Sequence, residues 1–224
     1  MSNPIFTVLY RKIRAHYAAH PEAVRFIGIT GEYAAGKTWF SEAFARYLRE
    51  QKIDAHPLET DMYFLFSKAE RFALEARLRE EGQLEERRHE GYTLDTDRWL
   101  THLRQLRERT PVSDRGLYQR KTGEKDLVLE VSFNGQEKWV LFDGVWVSGQ
   151  PIRQYMDVMV QLLAEEGVRR ERARLRAASL NIPYEQTPER FRGIDELTRR
   201  CLCRDPEDIV INNSNFDNPV LVKK

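Results

Sequence analysis

Two cysteines in 224 residues, Cys201 and Cys203, are too few for a disulfide framework or a complete zinc site. Two residues apart on a helical stretch, they point to different faces and read as reduced thiols of a cytosolic protein. Long hydrophobic runs are missing too. Charged residues interrupt every stretch well short of the ~18 apolar residues that cross a bilayer, which argues against a membrane partner. Near the N-terminus Arg11, Lys12 and Arg14 follow the few apolar residues instead of preceding them, the reverse of a secretory signal, so the expected location is the cytoplasm. No sign of charge dominates: 36 Lys and Arg stand against 35 Asp and Glu, and nothing in that balance marks a nucleic-acid partner. No repeat, low-complexity tract or Pro/Gly-rich linker occurs, so residues 1–224 are expected to form a single domain, with a homo-oligomer left open.

What is present suffices for a core. Apolar residues make up 41% and aromatics 11%, too many for a disordered chain. Within residues 1–22, Ile5 to His20 reads as an amphipathic leading helix ended near Pro21. Val24 to Thr30 reads as a buried strand, and Lys37 to Gln51 as a helix with Phe40, Ala43, Phe44 and Leu48 on one face. Ile53 to Thr60 is a second strand, and Lys68 to Arg79 and Arg98 to Arg107 are helical, with charge on their outer faces. From about 110 to 138, Pro111, Gly116, Gly123 and Gly135 separate short alternating runs, the pattern of hairpins. Trp139 to Phe142, Val158 to Leu163 and Asp208 to Ile211 complete the strands. A very basic helix begins near Val168, and a further one spans about Pro188 to Cys203. This alternation predicts an α/β fold with a mostly parallel sheet, helices on both faces, and ligands at the carboxyl ends of the strands.

Directly after the first strand stands Gly31-Glu32-Tyr33-Ala34-Ala35-Gly36-Lys37-Thr38, which fits G-x-x-x-x-G-K-[ST]. The glycines let the backbone curl so that its N–H groups face a polyphosphate, and the following helix adds the positive end of its dipole. Lys37 is assigned to the β- and γ-phosphates, and Thr38 to Mg²⁺. The pattern predicts a phosphate loop for a nucleoside triphosphate but leaves open whether water or a metabolite receives the phosphoryl group.

The other strand ends narrow the chemistry. Asp61, in Glu59-Thr60-Asp61-Met62-Tyr63 after the second strand, is placed to accept a proton from an attacking hydroxyl, with a cap or turn as the competing role. Asp143 ends the Trp139–Phe142 run and suits Mg²⁺ held through water, with an Asp-Gly turn as the competing role. Arg169, Arg172 and Arg176 recur at i, i+3 and i+7 on one face of the basic helix. Such a face is either solvated or, given the phosphate loop, a lid of about 167–180 that neutralises charge on the transferring phosphoryl group.

In sequence order, GITGEYAAGKTWFSEAF, ETDMYF, TLDTDRWLTHLRQL, KWVLFDGVW, MDVMVQLLAEEGVRRERARLRA and DIVINN resemble the segments of uridine kinase and phosphoribulokinase. The resemblance implies a P-loop NTPase fold with a β-hairpin insert at about 110–138 forming part of the acceptor site, and an Arg-rich helical lid. It implies ATP and Mg²⁺ as cofactors, with residues Gly31 to Trp39 and Arg176 on the nucleotide and Thr38 and Asp143 on the metal. It implies Asp61 as general base, Lys37, Arg169 and Arg172 in catalysis, and a small-molecule phosphate acceptor, a nucleoside first. Asp61, Tyr63 and either Asp95 or Asp97 are assigned to that acceptor, although the aspartate pair equally suits an N-cap of the helix starting at Arg98. Three departures stand out. Pro111-Val112-Ser113-Asp114 lacks the tyrosine of the family's Pro-Val-Tyr-Asp, for which Tyr118 or Tyr92 would have to substitute. Asn181-Ile182-Pro183-Tyr184 does not match the uridine kinase continuation, and Ala34 and Ala35 stand where that family favours Gly and Ser. Other acceptors, such as pantothenate, a sugar or a sugar phosphate, therefore stay open, as does an NTP hydrolase or nucleotide-binding regulator.

Overall fold

The computed structural model describes residues 3–16, 23–84, 87, 93–135, 137–179, 187–202, 205 and 207–222. The expected end of the first helix near Pro21, and Tyr92, Pro183, Tyr184 and Cys203, lie outside them. The chain runs α1 (Pro4–His16), β1 (Val24–Gly31), α2 (Lys37–Glu50), β2 (Asp54–Glu59), α3 (Lys68–Glu80), α4 (Thr96–Arg107), β3 (Val112–Leu117), β4 (Leu127–Val131) and β5 (Lys138–Asp143). It continues with β6 (Val158–Leu163), α5 (Glu166–Ser179), α6 (Thr187–Cys201), β7 (Ile209–Asn212) and β8 (Val220–Leu221).

Six strands form one sheet in the order β2-β5-β1-β6-β7-β8. All neighbours are parallel except β8, a two-residue edge strand that pairs antiparallel with β7 and whose short run gave no signal in the sequence. The residues of β1 and β5 are all buried, as expected of strands covered on both faces. Their side chains alternate between two cores. Ile27, Ile29, Trp139 and Leu141 meet Phe6, Leu9 and Ile13 of α1 and Phe40, Phe44 and Leu48 of α2. On the opposite face Phe26, Val140 and Phe142 meet Trp99, Leu103 and Leu106 of α4, together with Val112, Leu117, Leu129 and Val131 of the hairpin. Trp99 and Phe44 are fully buried, and truncating either to Ala costs about 3–5 kcal/mol.

The region from about 110 to 138 holds one antiparallel hairpin, β3–β4, whose register shifts between Arg115 and Leu117. Asp114 fixes it to α4. It receives a two-pronged bond from Arg98 (Nε–Oδ2 2.6 Å, Nη2–Oδ1 2.7 Å) and a third contact from His102 Nε2 at 2.9 Å. The Arg98 fork is the main reason the Asp114 carboxyl is pulled down to about 2. Helix α3 begins with a capping box that the sequence reading missed: Glu70 N–H donates to Ser67 Oγ, and Ser67 N–H donates to Glu70 Oε2 at 2.8 Å. No helix among the described residues is long and apolar enough to cross a membrane.

Candidate active site

The first strand ends at Gly31, and the loop to α2 turns through two left-handed residues, Ala34 (φ 60°) and Gly36 (φ 90°). A Cβ on Gly36 would lie 2.5 Å from the Phe216 ring, so only glycine fits there. Ala34 keeps the same backbone hand without glycine's freedom, a local strain of about 1–3 kcal/mol of the kind stored at functional sites. No side chain caps α2, so the N–H groups of its first turn are left for an anion.

Lys37 Nζ donates to the carbonyls of Gly31 and Glu32, both at 2.9 Å. Burial lowers its pKa to about 8 against the pull of Asp143 and Asp61, and Arg120 and Arg176 push in the same direction as burial. Thr38 Oγ1 donates to Asp143 Oδ1 at 2.9 Å. Asp143 is 5% exposed, and burial, reinforced by Glu59, raises its pKa to about 7. Gly144 lets β5 end against β2: its Cβ would lie 1.7 Å from Thr60 Oγ1, and the close approach brings Asp143 beside Glu59 and Asp61. Arg120, from the loop of the hairpin, donates to Glu59 at 3.0 Å and lies 3.5 Å from Asp61. Burial works against its charge, but Asp61 and Glu59 outweigh it and hold its pKa above the usual value.

These groups line one cleft of about 1110 Å³, above the ~300–1000 Å³ of a typical single-ligand pocket and roomy enough for two ligands side by side. One end lies over the phosphate loop, where Trp39 stacks on Phe216 at 4.5 Å and Arg172 covers the Phe216 ring at 3.6 Å. Arg172 also donates to the carbonyls of Asn213 at 2.9 Å and Ser214 at 3.1 Å, and burial lowers its pKa. Arg176 lies one turn farther along α5; burial, then Arg120, lowers its pKa. Lys37, Arg120 and Arg176 thus repel one another around a shared space, which an anion would relieve. Among the described residues no group of three or more His, Cys, Asp or Glu suits a metal. The oxygen pair Thr38–Asp143 nevertheless fits Mg²⁺, which takes few protein ligands and would complete its shell with water and phosphate oxygens.

Several expected residues stand elsewhere. Arg169 does not line the cleft. It is 1% exposed, pairs with Asp195 and, at 3.2 Å, with Glu32, and donates to Tyr33 O. Although it shares a helical face with Arg176, it sits about 10 Å lower on α5, where it ties the helix to α6 and to the underside of the loop. The Glu32 side chain accordingly faces Arg169 and Arg199, so only the backbone of Glu32 serves the loop, as it does at Gly31 and Ala35. Tyr63 is a core residue: 1% exposed, it stacks on Trp99 at 5.0 Å, and its hydroxyl bonds His102 Nδ1 at 3.1 Å. Asp95 caps α4, accepting from Arg98 N–H at 3.1 Å, and Asp97 is exposed in the first turn of that helix; neither lines the cleft. Tyr118 does line it, but its ring is occupied by Phe64 edge-on and by the Arg71 guanidinium at 4.6 Å.

Some lining residues went unnoticed in the sequence. Glu59 and Arg120 flank Asp61, and Phe216 follows the last parallel strand. Lys68, Arg71, Phe72, Glu75 and Arg79 of α3 also line the cleft, although this helix reads as having charge facing solvent. Their spacing of i, i+3, i+4, i+7 and i+11 is the one signal that marks them as a shared face.

Residues 26–176 match the model of the Phosphoribulokinase / Uridine kinase family. No curated protein matches the chain significantly. Among solved structures, a Silicibacter sp. TM1040 protein described as a candidate fructose transport system kinase is similar, with 17% identity, TM-score 0.67, and coverage of 92% of this chain and 98% of that one. D-glycerate 3-kinase from Cryptococcus neoformans var. grubii gives 13%, 0.63, 98% and 100%. Phosphoribulokinase from Rhodobacter spheroides gives 12%, 0.56, 87% and 74%. At these identities the likeness to the structures is one of fold.

Proposed function

This chain belongs to the phosphoribulokinase / uridine kinase family, and from that premise we propose that it transfers the γ-phosphoryl group of Mg²⁺-ATP to a hydroxyl of a small metabolite. What supports the reading most is that Asp61 shares one cleft with Lys37 and the Thr38–Asp143 pair. The loop N–H groups and Lys37 hold the β- and γ-phosphates. Thr38 and Asp143 hold Mg²⁺, which when bound draws charge from the phosphate oxygens.

Asp61 takes the proton of the acceptor hydroxyl as its oxygen bonds to the γ-phosphorus and the bond from that phosphorus to ADP breaks. Arg120, 3.5 Å away, orients the Asp61 carboxylate. Arg176 and Arg172 face the charge that spreads over the transferring group and help exclude water, so that α5 acts as the lid. The reading includes a cytoplasmic location and no nucleic-acid partner, in keeping with the near-neutral composition. The nucleoside expected from the sequence rests on family resemblance, and Tyr118, the aromatic expected to stack a base, has its ring covered by Arg71.

ADP release, measured with and without added metabolites, tests the reading. A kinase stays nearly idle until its acceptor is present, whereas rapid turnover in ATP alone would replace it with a hydrolase.

A further inference from the structure

The cleft carries more positive charge than a nucleotide uses, and the surplus lies at the end away from it. Among the described residues, eight Lys and Arg line it against four Asp and Glu, in a chain whose totals are 36 and 35. Lys37, Arg172 and Arg176 belong to the phosphate-loop end, and Arg120 is answered by Glu59 and Asp61. The remainder gathers at the β2 edge: Lys68, Arg71 and Arg79 on α3 and Lys121 beside Arg120, with Glu75 the one carboxylate among the described residues there.

Arg71 is held differently from the arginines that anchor other parts of the fold. Arg98, Arg153 and Arg169 each pair with a carboxylate: Asp114, Asp208 and Asp195 respectively. Arg71 instead lies between two rings, 3.8 Å over Phe64 and 4.6 Å over Tyr118, and its Nε is buried with no hydrogen-bond partner. Aromatic faces fix the plane of a guanidinium without neutralising it. The donor fork is oriented in advance for an anion with two oxygens, and less side-chain freedom is lost on binding. Phe64 lies three residues beyond Asp61 and Tyr118 two before Arg120, so the clamp is built from the segments that position the proposed base.

We propose that the phosphate acceptor bears an anionic group of its own, a phosphate or a carboxylate, which Arg71 receives together with Lys68 and Lys121 while the acceptor hydroxyl meets Asp61. The inference rests on the kinase reading above and narrows the acceptor class to hydroxylated anions.

The test uses the full chain with Mg²⁺-ATP and matched sets: glycerol, glycerate and glycerol 3-phosphate; ribose, ribonate and ribose 5-phosphate; and uridine. ADP release is followed, and in parallel thermal shifts are measured with a non-hydrolysable ATP analogue bound. The highest kcat/KM is expected for an anionic member, and whether it is the phosphate or the carboxylate identifies the group. Arg71→Met should raise its KM about 10- to 100-fold, as expected for a lost charge-assisted bond, with no comparable change in the KM for ATP, and Arg71→Lys should recover part of the loss. Should Arg71→Met fold poorly, Lys121→Glu at an exposed position is expected to raise the same KM. Preferential turnover of uridine or another neutral member, or an unchanged KM in these variants, overturns the anion site and leaves the kinase reading standing. Anions that raise the melting temperature of the wild type but not of Arg71→Met, without phosphorylation of any compound, keep the anion site and overturn the kinase reading. Neither shift nor turnover across the panel overturns the anion site.

Discussion

Thr38 Oγ1 donates a 2.9 Å hydrogen bond to Asp143 Oδ1, joining the first turn of α2 to the last residue of β5. The contact couples the phosphate loop to a cluster of three carboxylates, Asp143, Glu59 and Asp61, that has Arg120 as its nearest guanidinium. Without a metal, the cost of that arrangement falls on Asp143. Its folded-state pKa of about 7 lies above the 3.8 of an ordinary aspartate. The native state therefore keeps a proton that the unfolded chain releases across that window, and stability falls as the pH rises through it.

Asp143→Asn removes this ionisation while leaving an oxygen to accept from Thr38. In metal-free protein at pH 8 the variant is expected to be more stable than the wild type, by an amount on the order of 2–4 kcal/mol. It should also lose the Mg²⁺-dependent rise in melting temperature that the wild type shows with nucleotide. A melting series in EDTA and in Mg²⁺, from pH 5 to 8, checks both. Equal stability of the two proteins at pH 8 would show that Asp143 is not strained by its neighbours.

Lys37 gives the opposite sign for ligand binding. Burial lowers its pKa to about 8, so above that pH the free protein holds a neutral amine, and binding a polyphosphate must first return the proton. ATP affinity is expected to be steady below pH 8 and to decline above it, with proton uptake on binding visible as buffer-dependent heats in calorimetry. Lys37→Arg, charged throughout, should flatten the decline. Lys37→Ala should weaken ATP binding at pH 7 by about 10- to 150-fold, the value of a charge-assisted hydrogen bond. Unaltered affinity in that variant would remove Lys37 from the phosphate site.

Asp61→Asn keeps the shape of the side chain and its approach to Arg120 but cannot take a proton. Turnover is expected to fall about 10²- to 10⁴-fold with little change in ATP affinity. Single-turnover kinetics with bound ATP separates the chemical step from product release. An unchanged rate there would dismiss Asp61 as the base.

The sequence was most legible where one period or motif governs a whole element. Val24–Gly31 and Lys138–Asp143 are buried along their length, and the runs that mark them end within a residue or two of the strands. The phosphate loop was legible because each fixed residue answers a backbone requirement, as Gly36 does at φ 90°. Asp95 takes the cap role of the two left open for it, and Tyr63 misses the acceptor role expected of it, for a shared reason: motif order brings a residue into the right segment, but its direction depends on packing. Asp95 is used by the N–H of Arg98, and Tyr63 by Trp99 and His102. Arg120 had no local signal at all, since its role arises only when the hairpin loop folds back onto β2.

Arg169 and Arg176 occupy one face of α5 but predict different failures. Arg169 is sealed between Asp195, Glu32 and the Tyr33 carbonyl, and its removal leaves a buried carboxylate without its cation. Arg169→Ala is therefore expected to destabilise the protein by about 3–5 kcal/mol. Any loss of activity should follow the unfolded fraction and recover at low temperature or in a stabilising osmolyte. Arg176 lines the cleft and repels Arg120 across it, so Arg176→Ala relieves a charge conflict and should leave the melting temperature unchanged or slightly raised. Its cost appears in kcat, through charge on the phosphoryl group that no longer meets a guanidinium. Melting curves and kcat measured side by side for the two variants distinguish the roles. A stable Arg169→Ala with low kcat would return that residue to the catalytic set, because it would show that α5 stays in place without the buried pair.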